Sequence, residues 1–207
     1  MNTFSLAEFC KIPPAHTPKI VGIGASTGGI DALSEVLSNL SPNTLPILIV
    51  QHTSNRSGSS LVHLFEKICA ARVIPASSGI PINKGKVYIA CGNEEHLTVS
   101  ENNMSSICCE AAPRETGHRP SIDKLFSSLS VFGKKSIGFI LTGMGRDGVS
   151  GLNSMRKMGS HTFAQDEASS FVYGMPRVAF ETGAASYQIS LRDIAPLINR
   201  LSERSHG

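Results

Sequence analysis

The regular alternation of aliphatic runs with amphipathic stretches constrains the fold of this chain most strongly. Four runs have the continuous apolar character of strands buried on both faces: KIVGIGAS, LPILIVQH, KSIGFILTGMG and SHTFAQ. Between them lie the helical stretches GGIDALSEVLSNL, SGSSLVHLFEKICAA, SIDKLFSSLS and GVSGLNSMRKMG. Such strands, when they alternate with helices, are typical of a parallel sheet covered by helices on both faces. We therefore predict an α/β fold with a mostly parallel sheet.

The middle of the chain departs from this pattern. Residues 84–110, KGKVYIACGNEEHLTVSENNMSSICCE, contain three short apolar runs separated by GN and ENN. This pattern indicates an antiparallel meander or hairpin attached to the sheet. Further along, Pro176 is placed to open a short helix, and DIAPLINRLSE predicts the last helix, with Pro196 in its first turn.

Length and composition indicate one globular domain. A chain of 207 residues with 41% hydrophobic and 17% charged residues can bury a single core. Residues 1–18 hold three prolines and show no clear periodicity. We predict that they form an N-terminal extension or linker and that residues 19–207 form the domain.

Charge and cysteine content argue against several function classes. The formal net charge is only +3 and no basic face is interleaved with aromatic residues, so nucleic acid is not an expected partner. The five cysteines form no C-x-x-C pair, which argues against a disulfide framework and a zinc site and favours a reducing, cytoplasmic setting. The longest aliphatic runs are too short to span a bilayer, so we expect no membrane insertion.

Polar side chains follow three strands of the predicted sheet. Ser26 ends KIVGIGAS, His52 ends LPILIVQH, and Asp147 follows the strand in SIGFILTGMGRDG across a glycine-rich loop. Because ligands of an open α/β sheet bind at the carboxyl ends of its strands, we expect these residues to meet at one edge. Acyl transfer requires this set: a serine nucleophile, a histidine that takes its proton and a carboxylate that orients the imidazole.

Each of these residues also has a structural interpretation. A serine in a glycine-rich turn is more often structural than catalytic, and Asp147 is also placed to cap the helix that follows it. Asp166, in AQDEASSFVYGMPR, is a rival for the orienting role that spacing alone does not exclude. The other candidate histidines for the base lie on a predicted helix, in the meander or near the termini: His63, His96, His16 and His206.

The turn around Ser26 is compatible with two kinds of site. GASTG matches the G-x-S-x-G nucleophile elbow, although the chain order Ser, His, Asp differs from that of α/β-hydrolases. A phosphate cradle is less well supported, because GIGASTGG lacks the third glycine of G-x-G-x-x-G and no lysine follows to make a Walker A loop. The backbone N–H groups of the same turn would serve equally well as an oxyanion hole.

Five segments together resemble the catalytic domain of chemotaxis protein-glutamate methylesterases. They are, in this order, IGASTGG, QH, RPSID, LTGMGRDG and AQDEASSFVYGMPR. The resemblance runs from about Lys19 to the last helix. It implies a doubly wound, mostly parallel sheet with an antiparallel portion. It also implies an enzyme that hydrolyses glutamate γ-methyl esters on the cytoplasmic helices of chemoreceptors, and some members of the family also deamidate receptor glutamines.

The resemblance also assigns roles by motif position. It implies that Ser26 is the nucleophile, His52 the general base and acid, and Asp147 the orienting carboxylate. It implies no cofactor and no metal. The residues that it implies for oxyanion binding or substrate positioning are Thr27, Met144 and Gly145.

One departure from the family concerns regulation. The common form carries an N-terminal receiver domain that masks the active site until it is phosphorylated, whereas about 18 residues precede the catalytic motifs here. The chain is therefore expected to be either a stand-alone esterase or an excised domain, with an accessible site. We also expect a monomer that acts on methylated receptor helices and takes any regulator from a separate protein. Two alternatives stay open: a catalytically silent receptor-binding module and a small-molecule carboxylesterase.

Overall fold

The computed structural model describes residues 16–53, 58–90, 94–100 and 105–205. Residues 1–15 of the predicted extension lie outside the described residues, as do Cys10, Cys91 and His206.

Strands and helices alternate along most of the described chain. The strands are β1 (Ile20–Ala25), β2 (Ile47–Gln51), β3 (Arg72–Pro75), β4 (Lys86–Ile89), β5 (His96–Val99), β6 (Ile107–Glu110), β7 (Ser136–Ile140), β8 (His161–Gln165) and β9 (Tyr187–Ile189). The helices are α1 (Gly29–Ser38), α2 (Gly58–Glu66), α3 (Ile122–Leu129), α4 (Val149–Lys157), α5 (Met175–Glu181) and α6 (Leu191–Arg204). A 3₁₀ segment, Ser130–Lys135, joins α3 to β7.

Seven strands form one parallel sheet, in the order β3-β4-β2-β1-β7-β8-β9. β5 and β6 form a separate antiparallel pair. The prediction of a mostly parallel sheet with an antiparallel portion is confirmed. The strands that precede Ser26, His52 and the Asp147 loop are β1, β2 and β7, which are neighbours at the centre of the sheet.

The predicted meander is wrong in its first run. β4 pairs in parallel with both β2 and β3, so only β5 and β6 form a hairpin. The physical reason lies in burial: Val87, Tyr88 and Ile89 have no exposed surface, which is typical of a strand covered on both faces.

Other sequence expectations also need correction. β3 and β9 were not predicted, because each is a short edge strand with half-exposed or exposed residues and a weak apolar pattern. The last helix begins at Leu191, so Pro196 lies inside it and not in its first turn.

The sheet is covered on both faces, which explains its continuous apolar strands. On β2, Ile47 and Ile49 pack in a cluster with α1, α2 and α6, whereas Leu48 and Val50 pack with α3, α4, α5 and the β5–β6 hairpin. Successive side chains of a strand point to opposite faces, so a strand between two helical layers must be apolar at every position.

A glycine on β1 allows α3 to pack directly against the sheet. A Cβ atom at Gly24 would lie 2.2 Å from Cγ2 of Ile122, the first residue of α3. Because Gly24 has no side chain, Ile122 packs directly on the backbone of β1. This contact brings the N-terminus of α3 to the carboxyl ends of β1 and β7, where the candidate site lies.

We expect Gly24→Ala to lower the free energy of unfolding by about 1–3 kcal/mol, because the added methyl group overpacks the contact with Ile122. Ile122→Ala alone should also destabilise the protein, by opening a cavity. The double variant should lose less stability than the sum of the two, since the smaller side chain makes room for the new methyl group. Urea unfolding of the four proteins measures the coupling, and strictly additive losses would contradict this packing.

Candidate active site

Ser26 lies at the junction between β1 and α1. Its backbone N–H donates to the Thr142 carbonyl oxygen at 3.0 Å, which continues the pairing of β1 with β7. Its own carbonyl accepts from the Gly29 N–H at 2.8 Å and closes a tight turn. Gly28 occupies the left-handed region in that turn, with φ 76°, and caps α1. The half-buried Ser26 is thereby held beside the N-terminus of a helix.

His52 follows β2, which neighbours β1 on the side opposite to β7. Its backbone N–H donates to the Ala25 carbonyl oxygen at 3.0 Å, so the residue is fixed to the strand that carries Ser26. The side chain of His52 is 9% exposed, and its Nε2 atom lies 2.8 Å from Oδ2 of Asp147. The other ring nitrogen, Nδ1, is buried and has no hydrogen-bond partner among the described residues. The bond to Asp147 uses Nε2, so Nδ1 is the ring nitrogen of His52 that has no partner among the described residues.

Asp147 is almost fully buried, with 2% of its surface exposed, and five hydrogen bonds converge on its carboxylate. One comes from His52, and the others come from the hydroxyl groups of Thr116 and Ser121, both at 2.8 Å, and from backbone N–H groups at the start of α3. Those N–H groups belong to Ile122, at 2.8 Å, and Asp123, at 3.3 Å. A carboxylate is favourable there, because unpaired N–H groups and the helix dipole create positive potential at a helix N-terminus.

These donors determine the charge of Asp147. Burial alone would raise its pKa, but the hydrogen bonds from His52, Ile122, Thr116 and Ser121 outweigh burial and hold the pKa of Asp147 well below its usual range. The carboxylate therefore stays ionised, and it can keep the proton of a neutral His52 ring on Nε2.

Asp123 is a second buried carboxyl group beside Asp147. Its Oδ1 atom accepts a hydrogen bond from the Gly151 N–H at 2.8 Å. Burial, together with the negative charge of Asp147, raises the pKa of Asp123 to about 6. Below about pH 6 the two neighbouring carboxyl groups thus differ in protonation, and the one next to His52 carries the charge.

Asp166, the rival for the orienting role, has other partners. Its Oδ1 atom accepts from the backbone N–H and the hydroxyl of Ser169. Of the other histidines, His63 is exposed on α2, and His96 is buried and bonded to Pro113 and Ser121.

The glycine-rich loop after β7 lies directly against Ser26. A Cβ atom at Gly143 would be 2.6 Å from Cβ of Ser26, so a side chain at this position would displace the serine. The Thr142 hydroxyl donates to the Thr27 carbonyl at 2.9 Å and joins this loop to the turn after β1. Among the described residues, no acceptor is bonded to the backbone N–H of Thr27 or of Met144. Both are therefore available as donors near Ser26.

An open cleft of about 660 Å³ lies in front of Ser26 and His52. Met144 and Gly145 are exposed on the loop outside its lining. The residues that line the cleft are Ser26, Thr27, Gly28, Gly29, Ile30, Asp31, Gln51, His52, Thr53, Leu61 and His118.

No group of three or more His, Cys, Asp or Glu side chains in the described ranges could hold a metal ion. None of the helices described is both long and apolar enough to cross a membrane.

Gln51 is a residue of the site that the sequence analysis missed. Its side-chain amide donates to the carbonyl oxygen of Ser26 at 2.8 Å and to that of His52 at 2.7 Å. One buried side chain thus joins the two residues that follow β1 and β2. The available signal was a glutamine at the last position of an otherwise aliphatic strand.

Two further residues of the site also escaped the sequence analysis. Thr116 donates to Asp147, and the ring of His118 stacks on the ring of His52. Both belong to the segment that precedes α3, where no apolar periodicity marks the chain.

The raised pKa of Asp123 predicts a pH dependence of stability. The pKa is about 6 in the folded protein and about 3.8 ordinarily, so the unfolded chain loses this proton first and stability falls as pH rises from about 4 to about 6. Asp123→Asn removes this fall and should be more stable than the wild type above pH 6. Urea unfolding at several pH values tests the prediction, with the exposed Asp31→Asn as control. A stability difference that does not change with pH would contradict it.

The amide of Gln51 predicts a second effect on stability. Gln51→Glu places a carboxylate without hydrogens against two carbonyl oxygens, so we expect the free energy of unfolding to fall by about 1–3 kcal/mol at neutral pH. The loss should shrink as pH falls toward about 4.3, the ordinary glutamate value, because the contact with two carbonyl oxygens raises the pKa of this side chain in the folded state above it. The matched control is Gln188→Glu on the edge strand β9, where the side chain is half-buried. Equal losses in both variants would argue against this role of Gln51.

Comparison with known proteins identifies the family of this chain. Residues 21–198 match the family model described as CheB methylesterase. A protein-glutamate methylesterase/protein-glutamine glutaminase of Agrobacterium fabrum is 43% identical over 187 residues, which cover 89% of this chain and 53% of the relative. A protein of the same name from Gluconobacter oxydans is 45% identical over 189 residues, which cover 89% of this chain and 54% of the relative. The chain thus spans about half the length of these curated relatives.

A solved structure gives the same result for the fold. The crystal structure of the Thermotoga maritima CheB methylesterase catalytic domain superimposes with a TM-score of 0.83 at 32% identity. The match covers 90% of this chain and 98% of that domain. The chain therefore belongs to the CheB methylesterase family.

Proposed function

We propose that this protein is a serine hydrolase that removes methyl groups from glutamate γ-methyl esters of chemoreceptors. The observation that carries the proposal is the 2.8 Å contact of His52 Nε2 with an ionised Asp147, next to the strand that precedes Ser26. The names of the relatives support the substrate class.

His52 would act as the general base through Nδ1. Because Asp147 holds the proton of the neutral ring on Nε2, the lone pair of the ring lies on Nδ1. In the serine proteases the two nitrogens have the opposite roles, with the carboxylate at Nδ1 and the serine at Nε2. Nδ1 is the ring atom that lacks a partner, and both Ser26 and His52 line the cleft. It would take the hydroxyl proton of Ser26 as the serine oxygen attacks the ester carbonyl.

The loop and the helix would stabilise the oxyanion that this attack creates. The backbone N–H groups of Thr27 and Met144 have no acceptor within the described residues, and Gly145 allows the loop to turn beside them. The N-terminus of α1 adds positive potential in front of Ser26. One oxyanion donor is typically worth about 10²–10³ in rate.

The reaction would then proceed in two balanced halves. The tetrahedral adduct expels the methoxy group, which takes the proton from His52 and leaves as methanol, while the glutamyl group stays on the Ser26 oxygen as an ester. A water molecule then gives one proton to His52 and attacks the acyl group. The proton returns to Ser26, and a free glutamate side chain leaves.

A second candidate function is deamidation of receptor glutamines. The relatives carry both activities in their names, and the same steps apply when ammonia replaces methanol as the leaving group. As part of the proposal, the protein acts in the cytoplasm as a monomer on methylated receptor helices, and a separate protein supplies any regulation.

The test is methanol release from a purified, methylated receptor fragment. The wild-type protein should release methanol, and mass spectrometry should show the loss of one CH₂ unit for each modified glutamate. Ser26→Ala should lower kcat by about 10⁴-fold or more, as loss of the nucleophile does in serine hydrolases. Ser34→Ala, which removes a hydroxyl from the next turn of α1, is the matched control and should keep the activity.

Each alternative function gives a different result in this assay. Full activity of Ser26→Ala would exclude Ser26 as the nucleophile. A wild-type protein that binds the receptor fragment without releasing methanol would be a binding module. A wild-type protein that hydrolyses small esters but not the receptor fragment would be a small-molecule carboxylesterase.

A further inference from the structure

A second imidazole ring lies flat against His52. The centroids of the rings of His118 and His52 are 3.8 Å apart and the ring planes differ by 5°, so the two rings are stacked. His118 is half-buried and also lines the cleft. One face of the His52 ring is therefore covered by a side chain, while its edge is held by Asp147.

The backbone around His118 forms a tight turn that serves the same pair of residues. The Glu115 and His118 backbones exchange two hydrogen bonds, of 3.0 and 2.8 Å. Between them, Thr116 has φ 51° and Gly117 has φ 85°, which is the pattern of a type I′ turn. A β-branched residue rarely adopts a positive φ. Thr116 adopts it here while its hydroxyl donates to Oδ1 of Asp147 at 2.8 Å.

The turn thus contacts both members of the His52–Asp147 pair. Thr116 holds the carboxylate, and His118 covers the imidazole. A backbone conformation that is costly for threonine is retained where it brings both contacts together, which is typical of a functional segment.

The stack restricts the one motion that the Asp147 bond controls poorly. A histidine ring rotates about its Cβ–Cγ bond within a broad energy well, and a single hydrogen bond at Nε2 fixes the position of that atom better than the ring plane. A parallel ring at 3.8 Å blocks rotation out of the plane and leaves movement within the plane free. The direction of the Nδ1 lone pair depends on that plane.

The charge of His118 is compatible with this role. Burial lowers the pKa of His118, and a positive charge on His52 lowers it further, as does Arg114, whereas Asp147 acts in the opposite sense. A neutral ring does not repel the imidazolium that forms when His52 takes a proton.

We propose that His118 is a positioning residue, which holds the imidazole plane of His52 so that Nδ1 keeps one direction in the cleft that Ser26 also lines. The kinetic part of this inference rests on the proposed function. Its structural part rests on the stack itself. The role depends on a flat ring and not on a titrating nitrogen, and this distinction allows it to be tested by substitution.

The test compares His118→Ala with His118→Phe in the full chain. His118→Ala removes the stack and should lower kcat for the methylated receptor fragment by about 10- to 100-fold, with little change in KM, because a misdirected base slows the chemical step. His118→Phe keeps a flat ring and should restore most of kcat. His63→Ala, on the exposed surface of α2, is the control histidine substitution.

A measurement without substrate separates this inference from the proposed function. The Nε2 proton of His52, bonded to a carboxylate, should give a far-downfield ¹H NMR signal in the wild type. We expect this signal in His118→Phe and expect it to broaden or disappear in His118→Ala, even if the protein hydrolyses no receptor ester. An unchanged signal in His118→Ala would overturn the positioning role.

The kinetic outcomes are equally decisive. Wild-type kcat in His118→Ala would overturn the proposal. A raised KM with unchanged kcat would make His118 a substrate contact instead. If His118→Phe loses as much kcat as His118→Ala, the nitrogen atoms of His118 and not its ring plane would be required, and the proposal would fail. Inactivity of the wild type itself would count against the proposed function alone.

Discussion

The arrangement of the site depends on the hydrogen bonding of one buried carboxylate. Asp147 accepts from His52, from two hydroxyl groups and from the first backbone N–H groups of α3. A buried charge is costly unless it is paired and fully hydrogen-bonded. The donors that satisfy Asp147 come from separate segments, so its ionised state requires β2, the turn at Thr116, and α3 to be in place together. The carboxylate that pairs with His52 also joins these segments at one end of the sheet.

The packing of α3 on β1 makes this hydrogen bonding possible. Gly24 leaves no side chain between strand and helix, so Ile122 lies directly on the sheet and its N–H reaches Asp147. The same close approach is repeated at Gly143, where the loop after β7 lies against Ser26. Two glycines therefore allow the close contacts of α3 with β1 and of the loop after β7 with Ser26, although neither contributes a functional group.

The sequence could predict what depends on strand pattern and chain order. Apolar runs located β1, β2 and β7, and the rule that strands deliver residues to their carboxyl ends placed Ser26, His52 and Asp147 at one edge. The strand pattern could not predict β3 and β9, because edge strands need fewer apolar residues. It also could not predict the parallel pairing of β4. Gln51, Thr116 and His118 also escaped prediction, because their contacts join segments far apart in sequence and leave no local periodicity. That Asp147 and not Asp166 contacts His52 follows only from the hydrogen bonds themselves.

The distance along the chain between the paired residues has a consequence for folding. His52 and Asp147 are 95 residues apart in sequence, and the strand between them in the sheet, β1, is the first strand of the described residues. Closing such a loop costs entropy that is recovered only when the central strands have paired. No fragment that ends before β7 can contain the pair, and no collapsed intermediate with unpaired central strands can orient it. During synthesis or refolding, we therefore expect the His52–Asp147 pair to form only after the central strands of the sheet are joined.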